Sequence, residues 1–250
     1  MNNNALVTGA SKRIGRAISL ELAQKGWNIA IHFNTSKDEA ETLYKEITSL
    51  GVQAVLVQGN LENSDEINSI FERARQKLGP INCLINNASL FEPDLIDDLT
   101  QASFIRHMTT NLLSPALLTQ ALAAQPDLDF SEKSNIINII DQRVMMLGSD
   151  FVSYTLSKSA LWTLTQTSAM SLAPNVRVNA IGPGPTLASK RQDPAQFERQ
   201  CHQVPLQHGA TAAEIAKGVA FLLDAPSITG EFIAMDGGQH LPSSIVTEEE

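Results

Sequence analysis

The stretch ALVTGASKRIG, residues 5–15, sets a short apolar run against a glycine-containing turn and the start of an amphipathic pattern. A strand that ends at Gly9 and re-enters a helix near Gly15 brings backbone N–H groups and the positive helix N-terminus to one spot, which suits phosphate oxygens. Arg13, a bulky cation, stands where such a turn ordinarily carries another glycine. A turn of this kind is weak evidence alone, because glycine-containing strand-to-helix turns also occur without a ligand. The rest of the chain decides how to read it.

Outward from the turn, apolar β-branched runs alternate with amphipathic patterns. ALVT, NIAIHF, QAVLVQ, CLIN, NIINII, VRVNAI and EFIAMD read as seven strands, and 15–25, 37–50, 64–78, 101–123, 153–171 and 211–223 as helices. The alternation predicts right-handed βαβ units and a parallel sheet. With 250 residues, 43% of them hydrophobic, the chain can bury a core sufficient for one α/β domain, expected over 1–241 and followed by a polar tail, 242–250. The connection 182–209 exceeds ordinary loop length and is the expected substrate lid.

Composition narrows the function. Lys plus Arg number 18 against 27 Asp plus Glu, a formal charge of −9, and the cations are scattered singly. That balance speaks against nucleic acid and anionic membranes as partners. Cys83 and Cys201 are too few and too far apart for a disulfide framework and read as free thiols of a cytoplasmic protein. MNNNALVTG has no secretory n- and h-regions, and no apolar run reaches membrane-spanning length. His202 and His208 lack metal-ligand spacing, so no metal is expected, and His32, inside a strand, reads as a packing residue against a neighbouring helix.

The second strand ends HFNTSK, with no carboxylate at Asn34, Thr35 or Ser36 to hold a ribose 2′-hydroxyl, while Lys12, Arg13 and Lys37 offer positive charge. A 2′-phosphate is therefore expected, which makes the cofactor NADPH. Ser36 also reads as a helix cap, forming a capping box with Glu39.

YTLSK puts Tyr154 and Lys158 on one helical face, where the ammonium would favour phenolate and lower the tyrosine pKa. A lone pair of this kind says little. Together with TGASKRIG, NNAS at 86–89, Asn111 and GPGPT at 182–186, in that order, it makes the chain resemble the short-chain dehydrogenase/reductase family over almost its whole length. The resemblance implies a doubly wound Rossmann fold with strand order 3-2-1-4-5-6-7, helices on both faces and a homotetramer in which FIAMD could lie at an interface. It implies an adenosine and ribose site along Asn60, Asn86 and Ala88, a nicotinamide ribose held by Lys158, and Pro183 to Thr186 beside the nicotinamide. Gly9, Ser11, Lys12, Arg13, Ile14, Asn34, Thr35, Ser36, Asn60, Leu61, Asn87, Ala88, Ser89, Tyr154, Lys158, Pro183, Gly184 and Thr186 are the expected cofactor contacts, and Asn111, Asp141, Tyr154 and Lys158 the catalytic set.

Asp141 departs from the family pattern, which has a serine thirteen residues before the tyrosine. A serine hydroxyl donates to a carbonyl becoming alkoxide; an ionised carboxylate only accepts and repels that charge. Aspartate suits hydride transfer to a C=N bond, whose nitrogen must gain a proton. Here the chain is similar to the pteridine reductases within the family, through SKRIG, Phe91 in NNASLF, the aspartate and GPG. That similarity implies Arg13 bridging cofactor phosphate and pterin, Phe91 stacking on the ring, and Asp141 with Tyr154 protonating nitrogen. Ser89 completes the expected substrate contacts. The alternative for Phe91 is a loop anchor packing under the lid. Arg143 either neutralises Asp141 or is solvated, as loop arginines usually are, and Met145 and Met146 read as apolar packing beside the site. Asn60, where relatives commonly carry Asp, and the lid sequence leave the substrate open. The competing functions are a carbonyl or 3-oxoacyl thioester reductase and a non-catalytic NADPH sensor, the latter opposed by the intact Asn111, Tyr154 and Lys158.

Overall fold

Strands whose successive residues are apolar, rather than alternate ones, need cover on both faces. A computed structural model, which describes residues 3–126, 134–188 and 191–241, supplies that cover. In chain order the elements are β1 (Asn4–Val7), α1 (Arg13–Gln24), β2 (Asn28–Phe33), α2 (Lys37–Ser49), β3 (Ala54–Gln58), α3 (Ser64–Leu78), β4 (Cys83–Asn86), α4 (Gln101–Met108) and α5 (Ser114–Ala123). They continue with β5 (Ser134–Ile139), α6 (Val152–Leu172), β6 (Val176–Pro183), α7 (Pro194–His202), α8 (Ala212–Asp224) and β7 (Phe232–Met235). The strands form one parallel sheet in the order β3-β2-β1-β4-β5-β6-β7, as expected.

Side chains alternate across the sheet, so one strand feeds two cores. Ala5, Val7, Ile29, Ile31, Ile85 and Ile181 pack with Ile18 and Leu22 of α1, Leu43 of α2 and Ile215 and Val219 of α8. Leu6, Leu84, Ile136 and Val178 turn to the other face, against Ile67, Ile70 and Phe71 of α3 and Leu118 and Leu122 of α5. Each fully buried side chain of this size stabilises by roughly 1.5–3 kcal/mol. The two layers fix the C-terminal ends of β1 and β4 side by side at the point where strand order reverses. A crevice opens there in sheets of this kind.

Three local expectations are corrected. The single helix over 101–123 is broken by a π turn, Thr109–Leu113, between α4 and α5. Pro115, at the start of α5, has no N–H to give the Asn111 carbonyl, so a regular helix cannot run through. The connection 182–209 is not wholly irregular, since β6 runs through Pro183 and α7 occupies its centre. Asp193 caps α7, its Oδ1 accepting from the Ala195 N–H, and Pro194 takes the first helical position. Ser36 precedes α2 but makes no side-chain cap bond; its hydroxyl pairs with Ser11 Oγ at 2.7 Å. The tail 242–250 and lid residues 189–190 lie outside the described residues.

Candidate active site

At the end of β1 the chain turns through Gly9, whose φ of +61° lies in the left-handed region that favours glycine. A Cβ on Gly15 would meet the Gly9 carbonyl oxygen at 2.3 Å, so α1 can begin this close to the turn only without a side chain there. Thr8 fastens the turn to the β4 loop: its hydroxyl donates to the Ile85 carbonyl and accepts from the N–H groups of Asn87 and Ala88. Asn87 answers by donating from Nδ2 to the Thr8 and Gly9 carbonyls.

His32 locks the same turn from β2. Burial pushes its pKa down from 6.5 to about 4, and the neutral ring accepts the Gly9 N–H at Nδ1 (3.1 Å), leaving Nε2–H to donate to the Gly59 carbonyl (3.2 Å). It is a strut of the glycine turn and lines the cavity, rather than a filler against a helix. Between pH 6.5 and about 4 the unfolded chain takes up a proton that the folded imidazole refuses. Stability should therefore fall as pH drops through that window, by up to about 3 kcal/mol. Urea midpoints followed from neutrality to pH 4 should show this component and His32→Gln should lack it; superimposable profiles would contradict the assignment.

The cavity beside the turn measures about 810 Å³. Its wall includes Gly9, Ser11, Lys12, Arg13, Ile14, Asn34, Thr35, Ser36, Asn60, Leu61, Asn87, Ala88, Ser89 and Phe91, together with Asp141, Tyr154, Lys158, Pro183, Gly184 and Thr186. Two named residues are elsewhere. Asn86 faces into the sheet, its Nδ2 donating to Asn138 Oδ1 at 2.8 Å, and does not reach the cavity. Asn111 is fully buried in the π turn behind the wall. It accepts from the Leu90 N–H, and its Nδ2 donates to the Leu90 carbonyl and Ser157 Oγ. Ser157 Oγ in turn donates to the Tyr154 carbonyl, so Asn111 braces both the loop after β4 and α6 as a positioning residue.

The Tyr154 hydroxyl donates to Asp141 Oδ2 at 2.8 Å. Its pKa moves opposite to the sequence expectation: burial first, and the Asp141 charge second, raise it well above the usual phenol value. Asp141 Oδ1 accepts the Arg143 N–H, and burial raises the Asp141 pKa. Lys158 is buried, donates from Nζ to the Ile139 carbonyl at 2.8 Å, and is pushed down to about 8, chiefly by burial. At neutral pH the tyrosine therefore holds its proton, with the Asp141 carboxyl oxygen to receive the hydrogen bond and Lys158 Nζ 5.7 Å from its ring centre.

Arg143 is not simply solvated. Its Nη1 pairs with Asp150 Oδ1 at 2.9 Å and its guanidinium lies over the Phe151 ring at 4.9 Å. Phe91 stacks on Phe151 and meets the Tyr154 ring edgewise at 4.7 Å. Met145 and Met146, expected as apolar packing beside the site, are instead half-exposed.

Arg13 adopts φ +55°, an unfavourable backbone for a bulky residue on the order of 1 kcal/mol. Its fork donates to the Ala188 and Leu187 carbonyls at 2.8 and 2.9 Å, tying the first turn to the lid. Lys12 also reaches the cavity, bridged to Glu39, whereas Lys37 pairs with Glu41 and stays outside the wall. Arg191, unremarked in the sequence, donates to the Phe91 carbonyl from the far side of the lid. The wall carboxylates Glu62 and Glu92 both pair with Arg106. Among the described residues no group of three or more His, Cys, Asp and Glu could hold a metal ion, and no helix is long and apolar enough to cross a membrane.

The family model described as short chain dehydrogenase matches residues 3–198. Among solved structures, FolM Alternative dihydrofolate reductase 1 from Brucella canis, complexed with NADP, superposes with a TM-score of 0.93 at 43% identity, covering 99% of this chain and 98% of that one. The protein of the same name from Brucella suis, also in complex with NADP, gives 0.92 at 45% identity over 97% of this chain and 96% of that one. Among curated proteins, the 3-oxoacyl-(acyl-carrier-protein) reductase FabG of Staphylococcus epidermidis is 31% identical over 247 residues, 96% of this chain and all of the relative.

Proposed function

Since this chain belongs to the short-chain dehydrogenase family and is an NADP-dependent oxidoreductase, we propose that it reduces a dihydropteridine-type ring at a carbon–nitrogen double bond. The observation that carries this reading is the Asp141 carboxylate accepting the Tyr154 hydroxyl. A carboxylate opposes an alkoxide forming beside it and favours a nitrogen that gains a proton. The aromatic wall of Phe91 suits a flat heteroaromatic ring, and the Brucella relatives are dihydrofolate reductases by name.

The fit of the cofactor rests on the glycine cradle and on the end of β2. Gly9 and Gly15 line the cavity beside the N-terminus of α1, whose first backbone N–H groups suit a pyrophosphate. Asn34, Thr35 and Ser36 offer amide and hydroxyl groups without a carboxylate, and Lys12 and Arg13 add the charge a 2′-phosphate needs. When bound, the reduced nicotinamide supplies the hydride. The chain does the remainder: Lys158 holds the nicotinamide ribose, Phe91 orients the substrate ring, Tyr154 delivers its proton to the ring nitrogen, and Asp141 keeps that proton positioned until delivery. Homotetramer formation belongs to the same reading, supported by exposed apolar side chains such as Ile105 and Leu113.

Asp141→Ser tests the carboxylate. Dihydropterin turnover should fall about a hundredfold, with NADPH affinity retained, and turnover of a 3-oxoacyl thioester should rise. Undiminished pterin turnover in this variant would remove the basis of the reading.

A further inference from the structure

Phe151 ends the loop before α6 with a φ of +56°, a left-handed backbone that a bulky side chain rarely holds. Its ring lies flat on Phe91, with centroids 4.3 Å apart and planes within 3°. Phe91 lines the cavity and Phe151 does not, so Phe151 backs the substrate-facing ring from outside the site. The Arg143 guanidinium sits over the Phe151 ring and is itself held by Asp150. Two further bonds tie the same pieces together: the Val152 N–H donates to the Asp94 carbonyl and the Ser153 N–H to Asp94 Oδ1.

A residue kept in an unfavourable conformation needs surroundings that over-determine it, and such residues gather at functional sites. Here the unfavourable φ brings the ring against Phe91. We propose that Phe151 is a specificity-determining positioning residue, whose ring, fixed by Arg143 and Asp150, holds Phe91 flat for a heteroaromatic substrate. The proposal rests on the reading of the substrate as a flat ring. Without Phe151, the 37%-exposed Phe91 loses its backing and must be ordered anew each time substrate binds.

The test compares Phe151→Gly, Phe151→Ala and Phe151→Tyr, with a dihydropterin and NADPH as substrates. Glycine and alanine both delete the ring, but only glycine is free of the φ penalty, so Phe151→Gly should melt above Phe151→Ala by about 2–4 °C. Despite that difference in stability, both should raise the dihydropterin KM equally, by roughly three- to tenfold, with kcat and the NADPH KM within about twofold. Phe151→Tyr, which keeps the stack, should restore the original KM. A KM that follows melting temperature, or stays constant across the series, would overturn the positioning role while leaving the pterin assignment standing. If the unmodified protein reduces only the thioester, the pterin assignment itself fails and the role of the stack fails with it.

Discussion

Tyr154→Phe should lower kcat by about 10²–10⁴-fold while leaving NADPH affinity within about twofold. The substitution removes one atom, the hydroxyl oxygen that donates to Asp141 Oδ2, and keeps the ring that meets Phe91 edgewise. That hydroxyl is the proton source in this account, and it stays protonated at neutral pH because burial and the Asp141 charge hold its pKa well above 10. The variant should also lose about 1–2 kcal/mol of stability, because Asp141 forfeits a donor in a buried setting. Steady-state turnover and cofactor titration on one preparation separate the two effects. Full turnover by a well-folded Tyr154→Phe protein would mean that the proton comes from elsewhere.

Gly15→Ala should weaken NADPH binding by about a hundredfold. The added Cβ would lie 2.3 Å from the Gly9 carbonyl oxygen and 2.5 Å from Asn87 Nδ2, and the first is backbone that cannot swing aside. Moving α1 outward relieves the clash but withdraws its N-terminal N–H groups from the pyrophosphate position, and overpacking of this kind costs about 1–3 kcal/mol, or up to two powers of ten in affinity. Gly26 makes the control: at φ +85° with no neighbour within 4 Å, an alanine there strains only the local backbone. Gly26→Ala should lower stability and leave cofactor affinity unchanged. Equal NADPH affinities for both variants would show that the cradle at Gly15 does not carry the cofactor.

The strands were legible because parallel strands buried on both faces write themselves as unbroken apolar runs, and NIAIHF, CLIN and VRVNAI each became a strand, whereas their order followed only from the family resemblance. The helix over 194–202, inside the stretch expected as a loop, has a signal of its own in the Asp193 cap followed by Pro194. Asn86 and Asn87 show a finer limit. Successive residues of a strand face opposite ways, so a one-residue ambiguity at the end of β4 exchanges a sheet-bound amide for one that holds the glycine turn. The spacing of Tyr154 and Lys158 put an ammonium near the phenol, yet could not weigh it against burial and the nearer carboxylate that dominate the tyrosine. Phe151 left no local signal, because its partner Phe91 is sixty residues away and only the folded loops bring the rings together.

The most direct test of the central claim is a competition in which the unmodified protein receives 4-deuterated NADPH, a dihydropterin and a 3-oxoacyl thioester at equal concentrations. The position of the deuterium is then read by NMR. Reduction of a C=N bond places the label on the ring carbon of that bond, with little in the 3-hydroxyacyl product. Label confined to the carbinol carbon of the hydroxyacyl product would contradict it, and would mean that Asp141 tolerates an alkoxide forming beside it.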